Sequence, residues 1–209
     1  MCCARFFVLV VFNVTILFVA AFSPVAAEQQ SVAGITIEYP VLFERMKLAE
    51  EALQRNSTAR WGAPADAIEV QQASIPAAKR LTGASGMLEI ARVKFATGRK
   101  PNLGAVATVA NYTPPFMLQE PLKIVTEDVS VDRVSGLDGR RLSFEAEAGG
   151  WTIFGHALLI HNPDRNDFWD IKIVLFRRFL VTYFVSSDRV YPKSILDTVR
   201  VLDDRTPMP

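Results

Sequence analysis

The chain has 209 residues, with Lys and Arg numbering 23 against 22 Asp and Glu, and only two cysteines, Cys2 and Cys3. The near-neutral balance, with four dispersed dibasic pairs (Lys79-Arg80, Arg99-Lys100, Arg140-Arg141, Arg177-Arg178), speaks against a basic face for nucleic acid. The absence of cysteine beyond position 3 excludes a disulfide framework, a thiolate nucleophile and a cysteine-ligated zinc site from the rest of the chain.

Phe6 to Phe22 is an apolar run preceded by Arg5 and followed by the small residues Ser23-Pro24-Val25-Ala26-Ala27. A short basic start, an apolar middle and a small-residue exit are the pattern of a secretory signal. Cleavage after Ala27 places Val25 and Ala27 at the positions a signal peptidase reads as small. The alternative is an uncleaved anchor, since a run of about 17 residues sits at the lower edge of a membrane span. Asn13 and Thr15 inside the run, and the Ser-Pro break after it, favour removal. The expected organisation is a signal peptide over 1–27 and a single α+β domain over 28–209, with its core at about 34–202. The expected location is periplasmic or secreted, with membrane contact only if the leader is retained.

Ser31 to Tyr39 reads as a short strand through Val32, Ile35 and Ile37. From Val41 to Arg55, Leu42, Met46, Ala49 and Leu53 recur at the spacing of one helix stripe, with Glu44, Lys47, Glu51 and Arg55 on the wet side. Glycines and prolines interrupt Trp61 to Gly86, where a short helix fits within Ala65 to Gln72. Met87 to Ala96 reads as a strand whose apolar phase shifts as a bulge would shift it. Leu103 to Tyr112 reads as a further strand, and Leu122 to Val131 is ambiguous between helix and strand.

Beyond the turn Gly136-Leu137-Asp138-Gly139 the pattern sharpens. Leu142, Phe144, Ala146 and Ala148 alternate with Arg141, Ser143, Glu145 and Glu147, as in a half-buried strand. Gly149-Gly150 supplies a hairpin turn. Trp151 to His161 is apolar on both faces, as a central strand is. After the polar connection Asn162 to Asp167, Phe168 to Phe176 returns as a third strand of an antiparallel meander. Phe179 to Val185 is a candidate fourth strand, and Pro192 to Val199 a closing helix.

The strand Gly34 to Tyr39 with Pro40, the Gly136–Gly139 turn, the Trp151–Phe176 hairpin and the closing Ile195-Leu196-Asp197-Thr198-Val199 together resemble the PsbP-like group, which includes the DcrB-like periplasmic proteins. Members open with a glycine-led apolar strand ending in proline and close in a helix of the form Ile-Leu-Asp-Ser; here Thr198 takes the serine's place. The resemblance implies an α+β fold, an antiparallel sheet flanked by helices as an α-β-α sandwich, and a non-enzymatic accessory or binding role. It carries no catalytic residues across.

Candidate chemistry is sparse. His156 and His161, five apart on one strand, project to opposite faces and cannot share a metal unless a bulge intervenes. Ser85 in Gly83-Ala84-Ser85-Gly86-Met87 is superficially like a nucleophile elbow, but Met87 stands where that turn needs glycine. Glu145 and Glu147 share a strand face, which is the minimum for paired-carboxylate chemistry and also the ordinary wet side of a strand. Asn162, Asp164 and Asn166 alternate like calcium ligands, yet Asp167 and Ile173 stand where such a loop needs glycine and glutamate. Asn56-Ser57-Thr58 and Asn111-Tyr112-Thr113 match the glycosylation sequon.

The aromatic residues Trp61, Trp151, Phe154, Phe168 and Trp169 are candidates to line an apolar ligand pocket. No metal and no cofactor is expected. The leading expectation is an exported, non-catalytic cell-envelope module that binds a protein partner or a small apolar ligand. The alternatives are a hydrolase using Ser85 or Glu145/Glu147 with His156, and a domain tethered to the membrane by Phe6 to Phe22.

Overall fold

The computed structural model describes residues 27–40, 43–47, 50, 63–75, 85–95, 108–112, 121–178 and 193–202. Among them, β1 (Ala27–Val32), β2 (Ile35–Pro40) and β10 (Arg200–Val201) form a small antiparallel sheet in the order β1-β2-β10. A larger antiparallel sheet runs β3-β4-β5-β9-β8-β7-β6. Its strands are β3 (Glu44–Arg45), β4 (Ile68–Ser74), β5 (Ser85–Lys94), β6 (Lys123–Val134), β7 (Leu137–Ala148), β8 (Trp151–Asn162) and β9 (Asp167–Arg178).

Turn chemistry dictates the meander from β6 to β9. Ser135 and Gly136 have φ of 51° and 81°, and Gly149 and Gly150 have 55° and 72°. Two successive positive φ values match the right-handed twist of the strands they join. Between β8 and β9, the Asn162 side-chain oxygen accepts the N–H groups of Asp164 and Arg165, which commits the Asn162–Asp167 connection to a turn. The reverse between β6 and β7 falls at Ser135–Gly136, so Leu137, Asp138 and Gly139 already belong to β7.

Register then divides the side chains of the large sheet between two faces. On the near face, Leu88, Ile90, Leu158, Ile160, Trp169, Ile171 and Ile173 pack with Ile35, Ile37 and Tyr39 of the small sheet, and with Ile195, Leu196 and Val199. Full burial of each such side chain contributes about 1.5–3 kcal/mol. On the far face, Leu142, Phe144, Ala146, Ile153, Ala157 and Val174 pack with the short helix α1 (Val109–Tyr112). Gly155 makes room for this layer: a Cβ there would run into the ring of Phe144.

The expected α-β-α sandwich is therefore corrected. Among the described residues, the layer covering the near face is a second antiparallel sheet joined by the short helical stretch 193–197, and the far face carries only the four-residue helix α1. The misreading has local causes. Ser31 to Tyr39 is two strands, β1 and β2, folded at Ala33 and Gly34, whose φ values of 52° and 79° make the same hairpin turn. Ala65–Ala67 is a single 3-10 turn and Ile68 to Ser74 is strand β4, in place of the helix expected within Ala65 to Gln72.

Val109 to Tyr112 is helical where a strand was expected, while 103–107 lie outside the described residues. β5 pairs regularly with both neighbours, so its phase shift is no bulge. Leu88 and Ile90 fill one face, Val93 the other, and Arg92 lies over the Trp169 ring. The ambiguous segment Leu122 to Val131 is mostly strand β6. Of the expected helix Val41 to Arg55, Glu44–Arg45 is strand, and the helical bond from Glu50 N–H to the Met46 carbonyl starts one turn later. The rest of that helix, the leader Phe6 to Phe22 and the candidate strand Phe179 to Val185 lie outside the described residues. Residues 193–197 are helical, within the expected Pro192 to Val199.

Candidate functional site

The two ends of the large sheet are built differently. At one end β3 is two residues long, a short edge that offers little backbone for pairing. At the other end β6 has 12 residues, about 40 Å of chain, and among the described residues only β7 pairs with it. Its outward N–H and C=O groups face no strand among the described residues. Ile124, Val125, Val129 and Val131 are all exposed, Val131 by 81%. The register shift between Ile124 and Thr126 leaves Val125 at a bulge.

Charges along β6 are unevenly matched. Lys123 binds Glu147 at 2.9 Å, Asp132 binds Arg141 at 2.9 Å, and Arg133 binds Asp138 at 3.2 Å. Arg141 also reaches Asp197 at 3.0 Å. Glu127 and Asp128, adjacent and exposed at the middle of the strand, make no ion pair among the described residues. Register puts Glu127, Val129 and Val131 on the far face, opposite Phe144, Leu142 and Arg140, and Asp128 on the near face, opposite Ser143.

A second feature is a polar cleft of about 330 Å³ where the small sheet meets β3 and β4, lined by Glu28, Gln30, Ser31, Tyr39, Phe43, Arg45 and Gln71. The Arg45 guanidinium forks onto Glu50 through bonds of 2.8 and 2.9 Å, and Glu50 also accepts the Gln72 N–H at 3.1 Å. Burial alone would raise the Glu50 pKa; the Arg45 and Gln72 hydrogen bonds outweigh it and hold the carboxyl below its ordinary value. Burial pushes the Tyr39 phenol up, so it stays protonated and keeps an O–H to donate.

A third feature is buried. Lys172 on β9 bonds Glu89 on β5 at 2.9 Å, with side-chain exposures of 7% and 4%, and its ammonium lies 5.8 Å from the centre of the Tyr112 ring. Asp170 is buried on the same face, two residues away. Sequence reasoning missed this cluster. Its signal was a charge at every second position, Asp170 and Lys172, inside the otherwise apolar strand Phe168 to Phe176.

The aromatic candidates are not brought together. Trp151 packs on Phe176 with ring centres 5.7 Å apart, at the margin of the far-face cluster that holds α1. Phe168 sits in a separate far-face cluster with Ile68, Val93 and Leu159, and Trp169 in the near-face core. Phe154 is buried on β8 opposite Glu145, and Trp61 lies outside the described residues.

The catalytic alternatives are placed as follows. Ser85 is buried at the start of β5, opposite Phe176, on the far face. His156, opposite Ile173, is on the near face. Glu145 and Glu147 share that near face, Glu147 held by Lys123. His161 is opposite Phe168, on the other face from His156.

No family model matches the chain, and no curated protein sequence matches it. The resemblance to the PsbP-like group recurs among solved structures. The chain is similar to cyanobacterial PsbP (CyanoP) from Synechocystis, at 12% identity over 86% of this chain and 95% of that one, with a TM-score of 0.47. It is similar to a mutant of the protein Mog1 at 13% identity over 86% of this chain and 98% of that one, with a TM-score of 0.42. A third similarity is to LpqN, a protein involved in cell envelope biogenesis in Mycobacterium tuberculosis. The identity is 7% over 68% of this chain and 82% of that one, with a TM-score of 0.37.

Proposed function

We propose that this protein is an exported, non-catalytic accessory module of the cell envelope that binds a partner protein along the open edge of its large sheet. The observation that carries this reading is β6: a 12-residue edge strand with four exposed aliphatic side chains. Unpaired strand backbone recruits another strand, and natural edges of this length are usually shortened, covered or paired. Export is supported by the leader-like segment ahead of Glu28. A protein partner is preferred over a small apolar ligand because Trp151, Phe168 and Trp169 are spread over three separate clusters.

The test is site-specific photo-cross-linking in the producing cell. A photoreactive side chain at Val131 is expected to capture one defined envelope protein, while the same group at exposed Asp164, in the β8–β9 turn, captures none. Equal capture at both positions, or capture at neither, overturns the reading.

A further inference from the structure

We infer that the occupant of the β6 edge is an extended segment carrying two consecutive basic residues beside alternating apolar ones; the inference rests on the edge-binding reading above. The argument is charge complementarity along a fixed register. Each of the other charged residues of β6 is neutralised within its own hairpin, Lys123 by Glu147, Asp132 by Arg141 and Arg133 by Asp138. Glu127 and Asp128 remain uncompensated among the described residues, one on each face of the sheet. A strand added beside β6 presents its own side chains alternately to those two faces, so each of its residues meets one known neighbour.

For an antiparallel addition the pattern follows directly. The residue opposite Val131 is apolar, the next faces Ser130, the next is apolar opposite Val129, and the following two are Lys or Arg opposite Asp128 and Glu127. Read from its N-terminus, the incoming segment is apolar, any, apolar, basic, basic. The same positions select against a second copy of this chain. A two-fold pairing centred on residues 127 and 128 puts carboxylates opposite carboxylates, which destabilises a strand pair. The acidic pair thus disfavours that self-pairing register and selects the partner.

The experiment uses two soluble peptides, one containing Val-Thr-Val-Lys-Lys and one containing Val-Thr-Val-Glu-Glu with identical flanks. Each is titrated against the purified protein in the form its cell produces, with amide hydrogen exchange read over Lys123–Val134. The basic peptide is expected to protect alternate β6 amides and to bind about tenfold more tightly than the acidic one. That preference is expected to vanish in the Glu127→Gln/Asp128→Asn double variant, whose exposed side chains leave the fold intact. Equal protection by both peptides overturns the charge inference and leaves the edge reading standing. Protection by neither overturns both. Concentration-dependent protection of β6 without peptide replaces the partner by a second copy and overturns the inference.

Discussion

The indole N–H of Trp169 donates to the carbonyl of Ala33 at 2.8 Å, joining the central strand β9 to the turn between β1 and β2. The small sheet is thereby fixed to the large one at a point where the chain has little conformational choice. Ala33 and Gly34 both have positive φ, and a Cβ on Gly34 would lie 3.1 Å from the Arg92 guanidinium, which itself covers the Trp169 ring at 5.5 Å. Arg92 is held in turn by Asp167 at 2.6 Å.

Trp169→Phe is expected to cost about 2–3 kcal/mol, because it leaves a buried carbonyl without its donor. Gly34→Ala is expected to cost about 1–2 kcal/mol from the left-handed backbone alone. Since both act on one clamp, the double variant should lose less than the two costs combined, as read by urea denaturation. A Trp169→Phe variant as stable as the parent would show that the indole bond does not hold the two sheets together.

The buried pair Glu89–Lys172 gives an asymmetric expectation. Removing one partner leaves an uncompensated charge inside the sheet, so Glu89→Gln or Lys172→Met is expected to cost about 3–5 kcal/mol. Replacing both by apolar residues of similar volume, Glu89→Leu with Lys172→Met, should recover most of that loss, because the attraction of a buried pair roughly balances its desolvation. Chemical denaturation of the three variants decides it. If the double variant is as unstable as the worse single one, the pair belongs to a wider network through Tyr112 and Asp170.

Strand alternation was legible wherever one face is wet and the other dry. Leu142, Phe144, Ala146 and Ala148 are all buried on β7, as their spacing indicates, and Gly149-Gly150 turns the chain where expected. β8 and β9, buried on both faces, were still legible as strands from their apolar runs; what was missed is the charged pair between β5 and β9. Glu89 breaks the apolar pattern of β5 because its partner Lys172 comes from a strand more than eighty positions along the chain, and no local period encodes that contact. The small sheet was hidden for a related reason. β10 is two residues long, and β2 pairs with it through the distant partners Thr36 and Arg200, so neither looks like part of a layer on its own. The edge surface on β6 was illegible because Leu122 to Val131 reads equally as helix or strand; the pairing order shows that, among the described residues, only β7 pairs with it.

Thr198 tests how far the closing motif is a matter of one hydroxyl. Its Oγ1 accepts the Glu38 N–H at 2.8 Å and donates to the Ile195 carbonyl at 2.7 Å, tying the C-terminal helical turn to β2. Serine supplies the same oxygen, so Thr198→Ser should fall within about 0.5 kcal/mol of the parent, whereas Thr198→Ala should lose about 1 kcal/mol. Thermal melts of both variants measure the difference. Equal losses in the two would mean that the methyl group, not the hydroxyl, holds the turn.

The polar cleft predicts a pH dependence whose sign follows from Glu50. Its carboxyl titrates below the ordinary value of 4.5 in the folded protein, because the Arg45 fork and the Gln72 N–H together exceed the opposing effect of burial. A group whose folded pKa is depressed adds stability above its unfolded pKa, and that stability is lost as the pH falls through the folded pKa. Comparing the parent with Glu50→Gln at a series of pH values isolates this group from every other carboxylate. At neutral pH the parent should be more stable by about 1–2 kcal/mol, the size expected for partly buried charge-assisted hydrogen bonds with one exposed partner. The difference should hold flat down to the ordinary carboxylate range and then shrink as the pH falls further. A difference that grew on acidification would require the Glu50 carboxyl to be protonated in the folded cleft, and would reverse the role assigned to Arg45.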